Sequence, residues 1–173
     1  MSKKKLMIIT TLIAFLLCFP FHFVYDKFPN FITSILFPIN ESIWEHMKLL
    51  FGSLIISGII EKIVLTKQKE DTTNICFSNY VSALSSIPIF LIMFLPIYNT
   101  IGENFKITIL LMLITIIISK YISYKISNKK DLYLENKTII LVIITYILFG
   151  ILTYYPIDNS IFIDTERCIY EIM

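Results

Sequence analysis

Five separate runs of the chain, 6–24, 43–65, 79–97, 105–121 and 138–155, are apolar over most of their length. A helix needs about 20 such residues to cross a bilayer. Backbone groups in hydrocarbon must satisfy one another, so runs of this kind are helical even when rich in isoleucine. The weak helix propensity of isoleucine is worth a few tenths of a kcal/mol, against several kcal/mol for each unpaired backbone group. Composition agrees: 56% of the 173 residues are hydrophobic, 16% are charged and the mean hydropathy is +0.75. Soluble domains carry about 25% charged residues. The expected fold is all-α, an integral membrane bundle of about five transmembrane helices forming a single domain over residues 1–173. The apolar segment 28–39 is too short to span and is expected to be interfacial or re-entrant.

Lys3, Lys4 and Lys5 before the first run resemble the start of a secretory signal. The run is followed by Pro20, Phe21, His22 and Phe23 rather than a small-residue cleavage site, so it reads as a retained helix. Bulky Leu17 before Cys18 argues against a lipoprotein site, and Cys18, Cys76 and Cys168 read as free thiols. Five spans divide the cations unevenly. Lys3, Lys4, Lys5, Lys62, Lys67, Lys69, Lys120, Lys125, Lys129, Lys130 and Lys137 fall on one side, Lys27, Lys106 and Arg167 on the other, and Lys48 within a helix. The positive-inside bias therefore predicts a cytoplasmic N-terminus and an extracytoplasmic C-terminus, in a multi-pass protein of a bacterial cytoplasmic membrane. A net charge of +2 without a basic patch excludes nucleic acid. The expected partner is the lipid bilayer, with a homo-oligomer or membrane partner left open.

One polar concentration enters an apolar run: Pro38-Ile39-Asn40-Glu41-Ser42-Ile43-Trp44-Glu45-His46-Met47-Lys48. Part of it has a structural explanation. Ser42-x-x-Glu45 is a capping box, acidic residues suit a helix N-terminus, and Trp44 suits an interfacial anchor. These roles leave His46 and Lys48 unexplained. A lysine inside the apolar zone costs about 2–3 kcal/mol at the bilayer centre and normally pairs; Glu45, three residues earlier, is the expected partner. Trp44, four residues before Lys48, offers a cation–π contact.

His22, at the end of the first run, and His46, at the start of the second, fall at one depth. Imidazole with carboxylate suits a divalent metal such as zinc. Glu45 and His46 are adjacent and point about 100° apart on a helix, so His22, His46 and one carboxylate make the easier triad. Asp158 and Asp164, past the fifth run, fall on the same side, and Asp164 is the candidate third ligand. Glu45 and His46 are the candidate catalytic pair, with Glu41 as an alternative base, and Asn40, Glu41, Trp44 and Lys48 the candidate ligand-binding residues.

The stretch Pro38–Leu49 resembles the signature Pro-Val-Asn-Glu-Ser-x-Trp-Glu-His-x-Lys-Leu of an uncharacterised family of small bacterial membrane proteins, with Ile39 in place of valine. His22, Phe23 and Tyr25 match a His-Phe-x-Tyr stretch of that family, and Ile161-Phe162-Ile163-Asp164 fits its C-terminal apolar-Asp pattern. Glu171 stands where the resemblance implies glycine. The family carries no assigned activity, so the resemblance implies no mechanism.

Other features have plain readings. Tyr121, Tyr124, Tyr133, Tyr154 and Tyr155 suit an interfacial belt. Ser78, Ser82, Ser85 and Ser86 suit close helix packing, and no histidine at their depth would activate a serine nucleophile. The four isolated glycines form no phosphate loop. Three functions remain: an outer-face pocket for an ion, lipid head group or peptide; a metal-dependent hydrolase of a lipid or envelope substrate; and a small transporter subunit gated by Lys48 and Glu45.

Overall fold

The computed structural model describes residues 2–102 and 104–164. Arg167, Cys168 and Glu171, read above from sequence, lie outside them. The described chain forms α1 (Lys3–His22), α2 (Val24–Lys27), α3 (Phe31–Leu36), α4 (Ile43–Lys67), α5 (Ile75–Ile101), α6 (Phe105–Ser127) and α7 (Thr138–Tyr154), with 3-10 turns at Glu135–Lys137 and Ser160–Phe162 and no strand. Among the described residues, five helical stretches are long and apolar enough to cross a membrane. Outward faces carry exposed aliphatic side chains such as Leu12, Ile92 and Ile143, the pattern of a lipid-facing surface.

Polar side chains start the helices. Ser2, Ser42 and Asn104 each accept backbone N–H groups from the first turn of α1, α4 and α6. Asn30 and Thr33 close a reciprocal capping box on α3. At the other end of α5, Gly102 takes a φ of 78°, which stops the helix.

Two helices overrun the apolar runs that suggested them. The 79–97 run becomes α5 at Ile75–Ile101, and the 105–121 run becomes α6 at Phe105–Ser127. Both extensions carry a buried polar face. Ser78 accepts a hydrogen bond from Ser123 at 3.2 Å, and Ser127 is also buried. Asn74 donates to the carbonyls of Lys129 and Lys130 and accepts from Leu132 N–H, which ties the α6–α7 connection to the start of α5. Helix continues there because neighbouring helices, not lipid, receive the polar groups.

α4 is the hub. Within its most apolar window 56% of residues are buried, against 17–33% in the other four spans. α1 and α5 pack along it, α6 closes against both, and α7 lies over α3 and α5. Leu50, Phe51, Leu54, Ala83 and Ile116 are fully buried at the centre. The 28–39 segment contains α3, which lies against α7; a Cβ on Gly150 would stand 3.1 Å from Ile35. Leu6, Leu65 and Ile75 cluster at one end of the bundle, near the Lys3–Asp71 pair. His22, Glu41 and Asp164 gather at the opposite end.

Candidate metal centre

α1 ends at His22, with Pro20 in its last turn, and Phe23 separates it from α2. α4 begins at Ile43, so Glu41 precedes the helix and His46 sits in its first turns. An Asx turn sets the approach: Asn40 Oδ1 accepts Ser42 N–H at 3.0 Å. These local structures bring three side chains together. His22 Nε2 lies 3.7 Å from Glu41 Oε1, and His46 Nε2 lies 3.4 Å from Glu41 Oε2. One ligand atom from each of the three falls within 4.8 Å of the others. Donor atoms held about 2.0–2.1 Å from a tetrahedral zinc stand about 3.3–3.4 Å apart, so the carboxylate–imidazole spacings are close to those of a metal cage.

The tautomer of His46 follows from its other contact. Its Nδ1 donates to the Ser42 carbonyl at 2.9 Å, which directs Nε2 at Glu41. An imine lone pair and a carboxylate oxygen are both acceptors, so this contact requires a cation between them, either a proton or a metal ion. A backbone carbonyl on the far ring nitrogen is also the usual support for a metal-binding imidazole. The contact with His46 holds the Glu41 carboxyl below the usual carboxylate range, against the opposing effect of its partial burial; the charge of His22 adds to the lowering. The ring of His22 stacks on Phe23 at 5.0 Å, and its buried Nδ1 has no hydrogen-bond partner among the described residues.

Beyond the triad lies a polar chamber of about 150 Å3, walled by His22, Asp26, Asn40, Glu41 and Asp164 among others. Asp164 arrives there because the Ser160–Phe162 turn folds back on α4, with Phe162 packed 5.1 Å from Trp44. The clustered carboxylate is Glu41; Asp164, expected as third ligand, lies on the chamber wall instead.

Glu45 and Lys48 form a separate unit. Lys48 Nζ donates to Glu45 Oε2 at 2.6 Å and to the Ser34 carbonyl at 2.7 Å. Glu45 Oε2 also accepts Ile39 N–H at 3.1 Å, and its Oε1 accepts the Thr153 hydroxyl at 2.7 Å. Both side chains are buried and the Glu45 oxygens are engaged, so Glu45 is not presented to the histidines as a base. The 100° step between adjacent helical residues turns it toward α3 and α7 while His46 faces α1. The capping box is also half made: Ser42 Oγ accepts Glu45 N–H, but the Glu45 side chain reaches Ile39 instead of Ser42. Lys48 takes Glu45 and a carbonyl rather than the expected indole face, and Trp44 packs between Phe149 and Phe162.

A second buried charge unit was not expected from sequence. Lys120 Nζ donates to Glu61 Oε2 at 2.7 Å and to Asn79 Oδ1 at 2.8 Å, joining α4, α5 and α6. Lys62 and Lys120, counted above among the cations of one side, lie within α4 and α6, and Lys62 pairs with Glu135 at 3.0 Å. Their signal was the appearance of Glu61 and Lys120 at the margins of apolar runs.

No curated protein and no solved structure matches the chain. A family profile described as a family of unknown function matches residues 1–172, and the chain belongs to that family, DUF6512.

Proposed function

We propose that this is a multi-pass protein of the bacterial cytoplasmic membrane whose extracytoplasmic end binds one divalent metal ion, zinc, through His22, Glu41 and His46. The observation that carries this reading is the disposition of His46: Nδ1 anchored on the Ser42 carbonyl at 2.9 Å and Nε2 at 3.4 Å from Glu41. Two imidazoles and a carboxylate leave a fourth zinc position open, the arrangement of sites that hold water or substrate rather than of closed structural sites. The Glu45–Lys48 pair then has a positioning role, fastening the Ile39 and Ser34 backbone to α4 so that Glu41 meets His22.

The acidic wall of the chamber favours a second reading, metal-assisted hydrolysis. Asp26 and Asp164 line the chamber beside His22 and Glu41, and a metal held there would supply an acidified water from which they would take a proton. In this reading Glu41 is a ligand, and Asp26 or Asp164 takes the role of base.

Zinc content of the purified full chain tests the metal reading. One zinc per chain, lost in His22→Ala and His46→Ala, is the expected result; no zinc in the wild-type protein overturns it. Orientation is tested with single cysteines at Asp158 and Asn128 in a background lacking the native ones. A membrane-impermeant maleimide is expected to label position 158 in intact cells and position 128 only after lysis, and the reverse pattern would invert the assignment.

A further inference from the structure

The triad has a second approach, from the side of the bundle. A groove of about 160 Å3 lies between α1 and α6 and ends at His22, Glu41 and His46. Its walls include Phe15, Phe19, Leu49, Phe105, Ile109 and Met112. Phe19 and Phe105 are 42% and 74% exposed, so the groove opens on the faces that α1 and α6 turn to lipid. His22 and Glu41, but not His46, also line the chamber with Asp26 and Asp164. His22 and Glu41 are therefore shared by an apolar groove and an acidic chamber.

Three environments follow in order: apolar, cationic once the metal is bound, and acidic. A zwitterionic phospholipid with an ammonium head presents the complementary order of acyl chain, phosphate and cation. We propose that the ligand of this site is such an aminophospholipid, entering sideways from the bilayer, with an acyl chain in the groove, a phosphate oxygen on the metal and the ammonium against Asp26 and Asp164. The proposal rests on the metal reading above. Lateral entry is also the physically simple route, since an acyl chain passing from lipid into an apolar groove never meets water. Competing lipids fail one of the three matches. Phosphatidylglycerol brings no cation to the acidic chamber, and diacylglycerol brings no phosphate to the metal.

The test uses zinc-loaded full chain in detergent, offered equal amounts of phosphatidylethanolamine and phosphatidylglycerol with the same chains, and read by native mass spectrometry. The ethanolamine lipid is expected to be retained over the glycerol lipid by about tenfold, the effect of one charge-assisted contact. Asp26→Asn with Asp164→Asn is expected to bring that ratio near one. Ile109→Trp, which fills the groove, is expected to remove lipid retention while zinc stays bound; Thr108→Leu, on the same wall, serves if that variant fails to fold. Phosphoethanolamine without chains is expected not to compete. Equal retention of the two lipids, retention that survives both groove variants, or displacement by free phosphoethanolamine overturns the proposal. Zinc measured on the same samples separates the two readings. Histidine-dependent zinc without lipid preference leaves the metal site standing and overturns the ligand; a lipid preference unchanged by zinc removal overturns the phosphate anchor.

Discussion

Gly58 of α4 and Asn79 of α5 approach so closely that a Cβ on Gly58 would stand 2.5 Å from both Cβ and Cγ of Asn79. No ordinary side chain fits there. The contact lets Asn79 bring its carbonyl oxygen to Lys120 and its amide to Glu61.

Gly58→Ala is therefore expected to destabilise the protein. In an unconstrained helix interior the same change is favourable by about 1 kcal/mol. Here the methyl group must displace Asn79, and a loss of about 2–4 kcal/mol is expected from the overpacking and the broken network together. Thermal unfolding in detergent checks the sign; a melting temperature equal to or above that of the wild type would contradict it.

The Glu61–Lys120 pair should show strong coupling. Removing one partner by Glu61→Gln or Lys120→Met leaves a buried charge without its counter-charge, at an expected cost of about 3–5 kcal/mol. Joint replacement of both by apolar residues is expected to cost less than the two single changes added. A double-mutant cycle measures this, and additive losses would show that the pair is not coupled.

Glu45→Gln separates a cap from an anchor. A residue that only completed a capping box would tolerate glutamine with little loss. Glu45 instead holds Lys48, the Ile39 N–H and the Thr153 hydroxyl. A loss of about 3–5 kcal/mol is expected, against about 1 kcal/mol for Ser42→Ala, which removes only the cap. Equal losses from the two changes would return Glu45 to a capping role.

Metal affinity should rank the carboxylates. Glu41→Gln is expected to weaken zinc by a hundredfold or more (roughly 3 kcal/mol), because it removes the negative charge of the carboxylate whose two oxygens face the two imidazoles. Asp164→Asn is expected to change affinity by less than about tenfold, since Asp164 lies on the chamber wall outside the triad. Competition with a chromophoric zinc chelator gives both numbers, and a larger effect at Asp164 would make it the true third ligand.

The five spans were readable because lipid imposes a length and an apolar composition that few other environments demand. Their ends were less so. Ser78, Ser123 and Ser127 look like the close of an apolar run, yet they continue the helices because a neighbouring helix buries them. The Glu45–Lys48 pair was visible at helical spacing, whereas Glu61 and Lys120 are brought together only by the packing of α4 against α6. Meeting of the two histidines followed from their common depth. The placement of Glu41, rather than Asp164, beside them did not, because Glu41 precedes its helix and is aimed by the Asn40 turn, which periodicity does not describe.

Trp44 is the chain's one tryptophan, and its indole is seated between Phe149 of α7 and Phe162 of the turn that carries Asp164 to the chamber. The molecule thus contains its own optical probe. Detachment of the Ser160–Phe162 turn would strip one aromatic wall from that indole and shift its emission, so fluorescence reports directly, without any label, on whether that turn is seated against α4.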